Sequence, residues 1–250
     1  MTRFDVACLD MAGTTVRDDN TVMEAFAAAV APQTLTARKF NEAMTYARAT
    51  MGQSKIEVFR HIFGVIASSG DPGDPGGSGG SGGSGGEEAA QAANAAFEKH
   101  YAGAVAKGEI APMPGAEELF AACRPAGLKV CLSTGFSPLT RDAIIAALGW
   151  RPLVDLLLSP ADAGRGRPWP DMPLTALLRL GGGSVTSLAV VGDTPADIES
   201  GLRAGAGLVA GVLSGDSQRA ALEAVPSATG LPGTPVILDS VADLLPYLVG

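Results

Sequence analysis

The chain has 250 residues, of which 46% are hydrophobic and 18% are charged, and its formal net charge is -8. This length and composition allow one large buried core with a smaller appended unit, as in an ordinary globular protein. Binding to a nucleic-acid backbone needs a concentrated basic face, so the acidic balance and the lack of Lys/Arg clusters exclude nucleic acid as an expected partner.

Neither membrane insertion nor disulfide bonding is expected. No stretch of about 18 apolar residues occurs, and the first ten residues lack the apolar segment of a secretory signal. We therefore expect no membrane partner and a cytoplasmic location. The three cysteines, Cys8, Cys123 and Cys131, are odd in number and lack C-x-x-C spacing, which indicates reduced structural thiols.

The first predicted element is a buried strand over Phe4 to Leu9, which ends at Asp10. From about Val22 to Val105 the chain is rich in Ala, Met, Glu and Lys at helical spacing, which predicts a helical insertion after that strand. Val16 to Asn20 leads into the insertion and Pro112 to Gly115 leads out, because X-Pro steps favour extended chain. Because both connectors lie beside the expected site, we predict that the insertion acts as a lid over it.

A Gly/Ser-rich segment, residues 70–86, interrupts the helical insertion. Its sequence, GDPGDPGGSGGSGGSGG, has no apolar side chain beyond two prolines and cannot contribute to a core. It therefore predicts a flexible connector. The regular Gly-Gly-Ser repeat resembles an expression linker, and a natural low-complexity loop fits the same sequence.

After the insertion, apolar runs alternate with helical patterns. Strands are predicted over Leu128 to Leu132, Leu153 to Leu158, Leu188 to Val191, Leu208 to Leu213 and Pro235 to Leu238. Helices are predicted over Gly115 to Arg124, Pro138 to Leu148, Met172 to Leu180, Ala196 to Ala204 and Val241 to Leu248. This alternation predicts an α/β fold with a doubly wound parallel sheet covered by helices. We expect a core domain over 1–17 and 113–250, and a helical cap domain over 18–112.

Polar groups follow the predicted strands at the carboxyl edge of the sheet, where ligands bind in folds of this class. They are Asp10, Ser133 and Asp193. Ala12 to Thr15, directly after Asp10, are small residues whose backbone can approach a phosphate closely. Asp197 lies one helical turn after Asp193, and a hard cation such as Mg²⁺ is suited to these oxygen ligands.

The order of the motifs is more specific than any one of them. Singly, Thr15 or Asp197 could be no more than a helix-capping residue. Together, DMAGTTV at the first strand, STG at the second, GRPWPDMP around Arg167 and then GDTPAD resemble the haloacid dehalogenase superfamily. Within it the chain is most similar to the phosphonoacetaldehyde hydrolase (phosphonatase) branch. The resemblance covers nearly the whole chain apart from the Gly/Ser-rich segment.

The resemblance implies a magnesium-dependent hydrolase in which Asp10 attacks phosphorus, and water then hydrolyses the aspartyl-phosphate. It implies that Ser133 hydrogen-bonds the phosphoryl oxygens and that Arg167 supplies the positive charge that most relatives obtain from Lys. Asp193 is expected to bind Mg²⁺ together with Asp10 and the carbonyl of Ala12. Asp197 is expected to assist the metal site, either through water or by holding neighbouring groups. The residues expected to bind the substrate are Thr14, Thr15, Met51, Gly52, Thr134 and Gly135.

Ala12 and Lys55 narrow the range of expected substrates. Most phosphatases of the superfamily place a second Asp, the general acid for the leaving alkoxide, where this chain has Ala12. In the phosphonatase branch a cap lysine instead forms an imine with the aldehyde, so that the carbon–phosphorus bond breaks to an enamine. The stretch MGQSKI resembles that branch's cap motif, with Lys55 at the imine-forming position. By itself, such a lysine is typical of the surface of an amphipathic helix.

Two positions depart from the phosphonatase pattern. Val58 stands where that branch usually has His, and Phe136 where it usually has Tyr. His61 follows Lys55 by six residues, which places it about 120° around a helix at roughly 100° per residue, so it is a poor substitute.

Three functions therefore stay open. The first is C–P hydrolysis of phosphonoacetaldehyde or an analogue, and the second is hydrolysis of a small phosphate ester without imine chemistry. The third is a catalytically silent binding protein built on the same fold. The expected partner is accordingly a small-molecule phosphonate or phosphate ester, and a homodimer is left open.

Overall fold

The computed structural model describes residues 3–17, 19–33, 35–67, 69 and 84–249. The strands are β1 (Val6–Asp10), β2 (Val16–Arg17), β3 (Ala111–Pro112), β4 (Lys129–Ser133), β5 (Leu156–Leu158), β6 (Leu188–Gly192), β7 (Leu208–Val212) and β8 (Val236–Leu238). The α-helices are α1 (Thr21–Val30), α2 (Ala37–Ala49), α3 (Lys55–His61), α4 (Ser84–Ala106), α5 (Ala116–Cys123), α6 (Pro138–Leu148), α7 (Pro160–Ala163), α8 (Asp171–Arg179), α9 (Pro195–Ala204), α10 (Arg219–Glu223), α11 (Val225–Thr229) and α12 (Leu245–Val249). A π-helical turn covers Ile62–Ile66, and 3-10 turns cover Val185–Ser187 and Val241–Leu244.

Six strands form one parallel sheet in the order β5-β4-β1-β6-β7-β8. From β1 the chain moves outward to β4 and β5, then returns to β6 on the other side of β1 and moves outward again. This reversal is the switch point at which ligands bind in open α/β sheets. The predicted doubly wound parallel sheet is therefore confirmed.

Strand β1 is buried along its whole length because helices cover both faces of the sheet. Ala7 and Leu9 point into one hydrophobic cluster, whereas Val6 and Cys8 point into a second cluster on the opposite face. This alternation explains why the strand is an unbroken apolar run in the sequence. All three cysteines are free and buried, as expected of structural thiols.

Helices α1 to α4 form the helical insertion between β1 and β4. They pack on one another around aromatic rings, with Phe26 lying 5.1 Å from Phe59 and 4.9 Å from Phe97 between ring centroids. The ring of Phe97 also lies 6.0 Å from that of Phe136, which follows β4. The apolar interior of the insertion is thus continuous with that of the sheet.

The structure differs from the predicted elements in several places: helices α7, α10 and α11 were not predicted, and the last predicted helix begins as a 3-10 turn. Three further differences concern the insertion and β5. The connectors of the insertion pair as antiparallel strands β2 and β3, which the sequence analysis predicted only as extended chain. Strand β5 is shorter than predicted, because the N–H of Leu153 closes a turn onto the carbonyl of Trp150. Helix α4 already begins at Ser84, where an ion pair of Arg60 with Glu87 fixes its first turn. The prediction of a flexible segment up to residue 86 was therefore wrong at its end, and residues 70–83 lie outside the described residues.

Within the described parts of the chain, no helix combines the length and the apolar composition needed to cross a bilayer.

Candidate active site

Asp10 ends β1 at the centre of the sheet and leads directly into a tight turn. The N–H groups of Thr14, Thr15 and Val16 all donate to the carbonyl of Met11, at 3.2, 2.9 and 2.7 Å. The hydroxyl of Thr15 donates to the carbonyl of Asp10 at 2.8 Å. These bonds fix the backbone beneath the carboxylate, so the side chain of Asp10 is held in one place while remaining 4% exposed.

The turn lies directly against Asp193, which follows β6. Gly13 has φ 86°, and a Cβ at this position would lie 2.5 Å from Oδ2 of Asp193, so only glycine fits. The hydroxyl of Thr14 donates to Oδ1 of Asp193 at 3.0 Å. On the other side of the turn, Ser214 donates to the carbonyl of Gly13 at 2.7 Å. Glycine and two hydroxyls thus bring the β1 turn and the end of β6 together.

Arg167 joins the groups that follow three different strands. Its Nη1 lies 2.7 Å from Oδ1 of Asp10, and its Nε lies 2.7 Å from Oδ1 of Asp197. Its Nη2 donates to the hydroxyl of Ser133 at 2.7 Å and to the carbonyl of the same residue at 3.1 Å. Nη1 also donates to the carbonyl of Gly52 in the helical insertion, at 3.1 Å. Although burial disfavours the charged guanidinium, the carboxylates of Asp10 and Asp197 raise the pKa of Arg167 above its ordinary value.

Asp197 caps the helix that follows Asp193. Its backbone N–H donates to the hydroxyl of Thr194 at 3.3 Å, and its Oδ2 accepts from the N–H of Thr194 at 3.1 Å, which forms a capping box. Its other oxygen pairs with Arg167. Both oxygens of Asp197 therefore have protein partners. The capping interpretation and the expected holding of neighbouring groups are both seen, and its place among the metal ligands stays a prediction.

The carboxylates of Asp10, Asp193 and Asp197 each offer an oxygen within 4.8 Å of the others, and all three are buried. Burial raises the pKa of Asp10 to about 7, against the opposing charge of Arg167. Burial, followed by the negative charges of Asp10 and Asp197, raises the pKa of Asp193 well above its ordinary value. The positive charges of Arg167 and Lys55 do not balance three carboxylates, and a divalent cation among oxygen ligands would relieve the remaining repulsion. The residues present therefore fit a metal ion.

Lys55 reaches the same site from the helical insertion. It begins α3, is 5% exposed, and its positive charge is one of the groups that lower the pKa of Asp10 against the dominant effect of burial. Its Nζ lies 5.6 Å from the ring centroid of Phe26 and 5.3 Å from that of Phe136. Aromatic faces attract a cation at such distances. Its backbone N–H donates to the carbonyl of Gly135 at 3.3 Å.

The remaining predicted residues lie around this centre. Met51 and Ala12 line a cavity of about 760 Å³ between the insertion and the sheet, together with Asp193. The hydroxyl of Thr134 accepts from the N–H of Phe136 at 3.2 Å. The roles assigned to these residues stay predictions, and the structure brings all of the predicted residues to one edge of the sheet.

The two departures from the phosphonatase pattern are buried apolar positions. Val58 and Phe136 are 1% and 2% exposed and belong to the same hydrophobic cluster. His61 stacks on Tyr46 with ring centroids 4.0 Å apart, and its unsuitability as a replacement acid or base stays a prediction.

Several contributors were missed by the sequence analysis. Gly52 was expected at the site, but the contact of its carbonyl with Arg167 was not, and neither was the ring of Phe26 beside Lys55. Both contacts depend on how the insertion packs on the sheet. Glu98 of α4 was also missed; it accepts from the hydroxyl of Ser137 at 2.6 Å and from that of Thr140, at the first turn of α6. The capping box that begins at Thr194 could have been found, since T-x-x-D is its sequence pattern.

Comparison with known proteins bears on the fold and the family of the chain. The family described as "haloacid dehalogenase-like hydrolase" matches residues 4–205. A phosphonoacetaldehyde hydrolase of Bacillus cereus is 34% identical over 110 residues, which are 43% of this chain and 40% of that protein, so the chain spans less than half the length of this curated relative.

Two solved structures share the fold over nearly the whole chain. A phosphonoacetaldehyde hydrolase-like protein from Oleispira antarctica has a TM-score of 0.72 at 24% identity, covering 98% of this chain and 91% of that one. A putative phosphoglycolate phosphatase from Lactobacillus delbrueckii has a TM-score of 0.70 at 17% identity, covering 99% of both chains.

Proposed function

Because the chain belongs to the haloacid dehalogenase-like hydrolases, we propose that it transfers the phosphoryl group of a small organophosphorus substrate to Asp10 and then to water. The observation that carries this proposal is the convergence on Asp10 of a guanidinium, a hydroxyl and a second buried carboxylate. These are Arg167 at 2.7 Å, Ser133 bonded to the same guanidinium, and Asp193 within the carboxylate cluster.

Asp10, Asp193 and the carbonyl of Ala12 would hold Mg²⁺, and Asp197 would support that site through Arg167 and the helix cap. Bound there, the ion would offset the negative charge of the carboxylates and of the phosphoryl group as they approach each other. The clustering and the raised pKa values of Asp10 and Asp193 support this assignment.

The chemistry at phosphorus follows from the positions of the donors. The guanidinium of Arg167 and the hydroxyl of Ser133 would donate to phosphoryl oxygens, which fixes phosphorus opposite Asp10. A carboxylate oxygen of Asp10 forms a bond to phosphorus while the bond to the leaving group breaks and its electron pair leaves with that group. Water then attacks the aspartyl-phosphate, releases inorganic phosphate and restores the carboxylate.

The leaving group needs activation from elsewhere, because Ala12 offers no proton. We favour a phosphonate with an aldehyde group, phosphonoacetaldehyde or an analogue, that condenses with the amine of Lys55 to an imine and releases water. The electron pair of the breaking C–P bond then passes into the imine and gives an enamine. Protonation at carbon and hydrolysis return the amine and an aldehyde. Lys55 is buried and its charge acts on Asp10, so the amine lies near the proposed nucleophile, as this route requires.

A second candidate is the hydrolysis of a small phosphate ester without an imine. The rings of Phe26 and Phe136 lie at distances from Nζ of Lys55 at which aromatic faces attract a cation. In this second candidate Lys55 would bind substrate oxygens as a cation. The apolar side chains of Val58 and Phe136 add no acid or base for imine formation. A binding protein without turnover is the third candidate.

The helical insertion completes the proposed site. We propose that residues 18–112 form a cap domain over the core formed by 1–17 and 113–250, and that the paired strands β2 and β3 connect the two. In this arrangement the cap would supply Lys55 and Met51, and the core would supply the phosphoryl-binding groups.

Borohydride reduction in the presence of phosphonoacetaldehyde separates the candidates. A reduced adduct mapped to Lys55 by mass spectrometry, absent in Lys55→Arg, is expected for the C–P route. Phosphate release from phosphate esters without an adduct would support the second candidate.

A matching assay tests the nucleophile. Release of phosphate is expected to require Mg²⁺ and to be lost in Asp10→Asn, because an amide is a poor nucleophile. Full activity of that variant would overturn the mechanism, and no release from any phosphonate or ester would leave only the binding protein.

A further inference from the structure

Cys8 lies directly behind the candidate active site, on the same face of the sheet. In the parallel pair of β1 and β4, Asp10 stands opposite Ser133 and Cys8 stands opposite Cys131. Because side chains two residues apart in a strand point to the same face, these four side chains lie together on one face. Cys8 is 1% exposed and belongs to the apolar cluster under that face. Its thiol therefore lies at the boundary between the apolar cluster and the site.

The hydroxyl of Ser133 accepts two hydrogen bonds. The thiol of Cys8 donates to its Oγ at 3.5 Å, a weak bond of the kind that sulfur makes. The Nη2 of Arg167 donates to the same oxygen at 2.7 Å. A guanidinium has donors and no acceptor, so the direction of this second bond is fixed. A serine hydroxyl has two lone pairs and one proton, so Cys8 and Arg167 together fill its capacity to accept.

The proton of the Ser133 hydroxyl is left for a third partner. The carbonyl of Leu9 lies 3.5 Å from Oγ, which is long for a hydroxyl donor, since such bonds usually measure about 2.7 to 2.8 Å. The proton can therefore turn to a closer acceptor at little cost. A phosphoryl oxygen bound opposite Asp10 is such an acceptor, because hydrogen bonds from a hydroxyl to a charged oxygen are short and strong.

We propose that Cys8 is a positioning residue for the phosphoryl site: with Arg167 it occupies both lone pairs of Ser133, so that the hydroxyl proton is held for a phosphoryl oxygen. The inference rests on the proposed function in one respect, namely that this site receives a phosphoryl group. Without the thiol, one lone pair is free and the hydroxyl can rotate away, so binding has to fix its direction first. Cysteine suits the position because it packs as a small apolar residue and still donates a proton.

Removal of the thiol tests the proposal through the binding of inorganic phosphate in Mg²⁺, measured by calorimetry. Cys8→Ala is expected to weaken this binding about fivefold, a loss within the range of one hydrogen bond. Cys8→Ser returns a donor to the same position and is expected to restore binding to within about twofold of the wild type. Thermal unfolding gives the folded fraction of each variant. If Cys8→Ala does not fold, Cys8→Val takes its place, because valine fills the space without a donor.

Cys131→Ala is the matched control. Cys131 is buried in the same cluster, and its thiol lies 3.6 Å from the carbonyl of Leu132. The substitution deletes the same atoms as Cys8→Ala but leaves both donors to Ser133 in place. It is therefore expected to leave phosphate binding within about twofold of the wild type. A loss as large as that of Cys8→Ala would overturn the proposal, because packing alone would then explain both.

A double-mutant cycle with Ser133→Ala distinguishes positioning from general damage. Without the hydroxyl the thiol has nothing to align, so Cys8→Ala is then expected to weaken phosphate binding by less than about twofold. Equal losses in the two backgrounds would overturn the proposal, as would Cys8→Ser binding no better than Cys8→Ala. If Ser133→Ala binds too weakly for the cycle, the comparison of Cys8→Ala with Cys8→Ser and Cys131→Ala decides.

Phosphate binding needs no turnover, so this test stands apart from the proposed function. If no substrate is hydrolysed but Cys8 and Ser133 are coupled, the proposed reaction fails and the positioning role holds. If a substrate is hydrolysed and the losses are equal in both backgrounds, the reaction holds and the positioning role fails. A wild type that binds no phosphate would also overturn the positioning role.

Discussion

Asp10→Asn is expected to stabilise the metal-free protein at alkaline pH. Burial raises the pKa of Asp10 to about 7, from an ordinary value of 3.8 that the unfolded chain retains. Between these values the folded protein holds a proton that the unfolded chain has lost, so stability falls as the pH rises through this window. An amide has the same shape, cannot ionise and still offers an oxygen to Arg167, so the variant escapes this loss.

The magnitude follows from linkage for a single site. With a folded pKa of about 7, the carboxylate costs the wild type about 2 to 3 kcal/mol more at about pH 8 than at about pH 5. The free-energy difference between Asp10→Asn and the wild type should therefore widen by this amount between the two pH values. Asp193 should widen the free-energy difference further in the same direction. The negative charge of Asp10 is one of the causes that raise the pKa of Asp193, and the amide of Asp10→Asn removes that charge.

Urea unfolding in EDTA at both pH values measures this difference. Asp239→Asn is the control, because its side chain is 89% exposed and its removal should shift both free energies by the same small amount. If the free energies of unfolding of Asp10→Asn and the wild type depend on pH in the same way, the reasoning is refuted. Burial would then not destabilise the ionised carboxylate of Asp10.

Three further outcomes are expected. Mg²⁺ should raise the thermal unfolding midpoint more at about pH 8 than at about pH 5, because Asp10 and Asp193 must lose protons to bind it; equal shifts would argue against these ligands. Gly192→Ala should destabilise the protein by about 2 kcal/mol in urea unfolding, because its Cβ would overlap the side chain of Asp197. Glu98→Ala should cost about 1 kcal/mol in the same assay, because the hydroxyls at the first turn of α6 lose their acceptor; an unchanged midpoint would contradict this contact.

The sequence predicted the sheet well because each of its strands is both apolar and bounded by turns. Strand β1 could be located to within two residues, since burial of both faces leaves an unbroken apolar run ending at Asp10. The prediction made strand β5 too long, because Leu153 and Val154 are as apolar as a strand, but Leu153 belongs to a turn after Trp150 and Val154 lies outside the strand. The pairing of β2 with β3 was missed, because two residues on each side carry no periodic pattern.

The candidate site was likewise only partly predictable from the sequence. Asp10, Ser133 and Asp193 could be placed together from the sequence, because the carboxyl ends of parallel strands meet at one edge whatever the details of packing. The sequence also indicated that Asp197 could serve either as a helix cap or at the metal site. Its two oxygens serve a helix cap and Arg167 at once, which no spacing rule distinguishes from metal binding.

The sequence by itself thus determined the fold class, the edge of the sheet at which the proposed site lies, and the chemical nature of the groups gathered there. These follow from local apolar periodicity and from the order of the strands. Only the tertiary structure decided that Arg167 contacts the carbonyl of Gly52 and that Nζ of Lys55 lies near the rings of Phe26 and Phe136. Those contacts join residues more than a hundred positions apart or lie across helix packing, and a backbone carbonyl is the same in every residue, so no side-chain pattern encodes them.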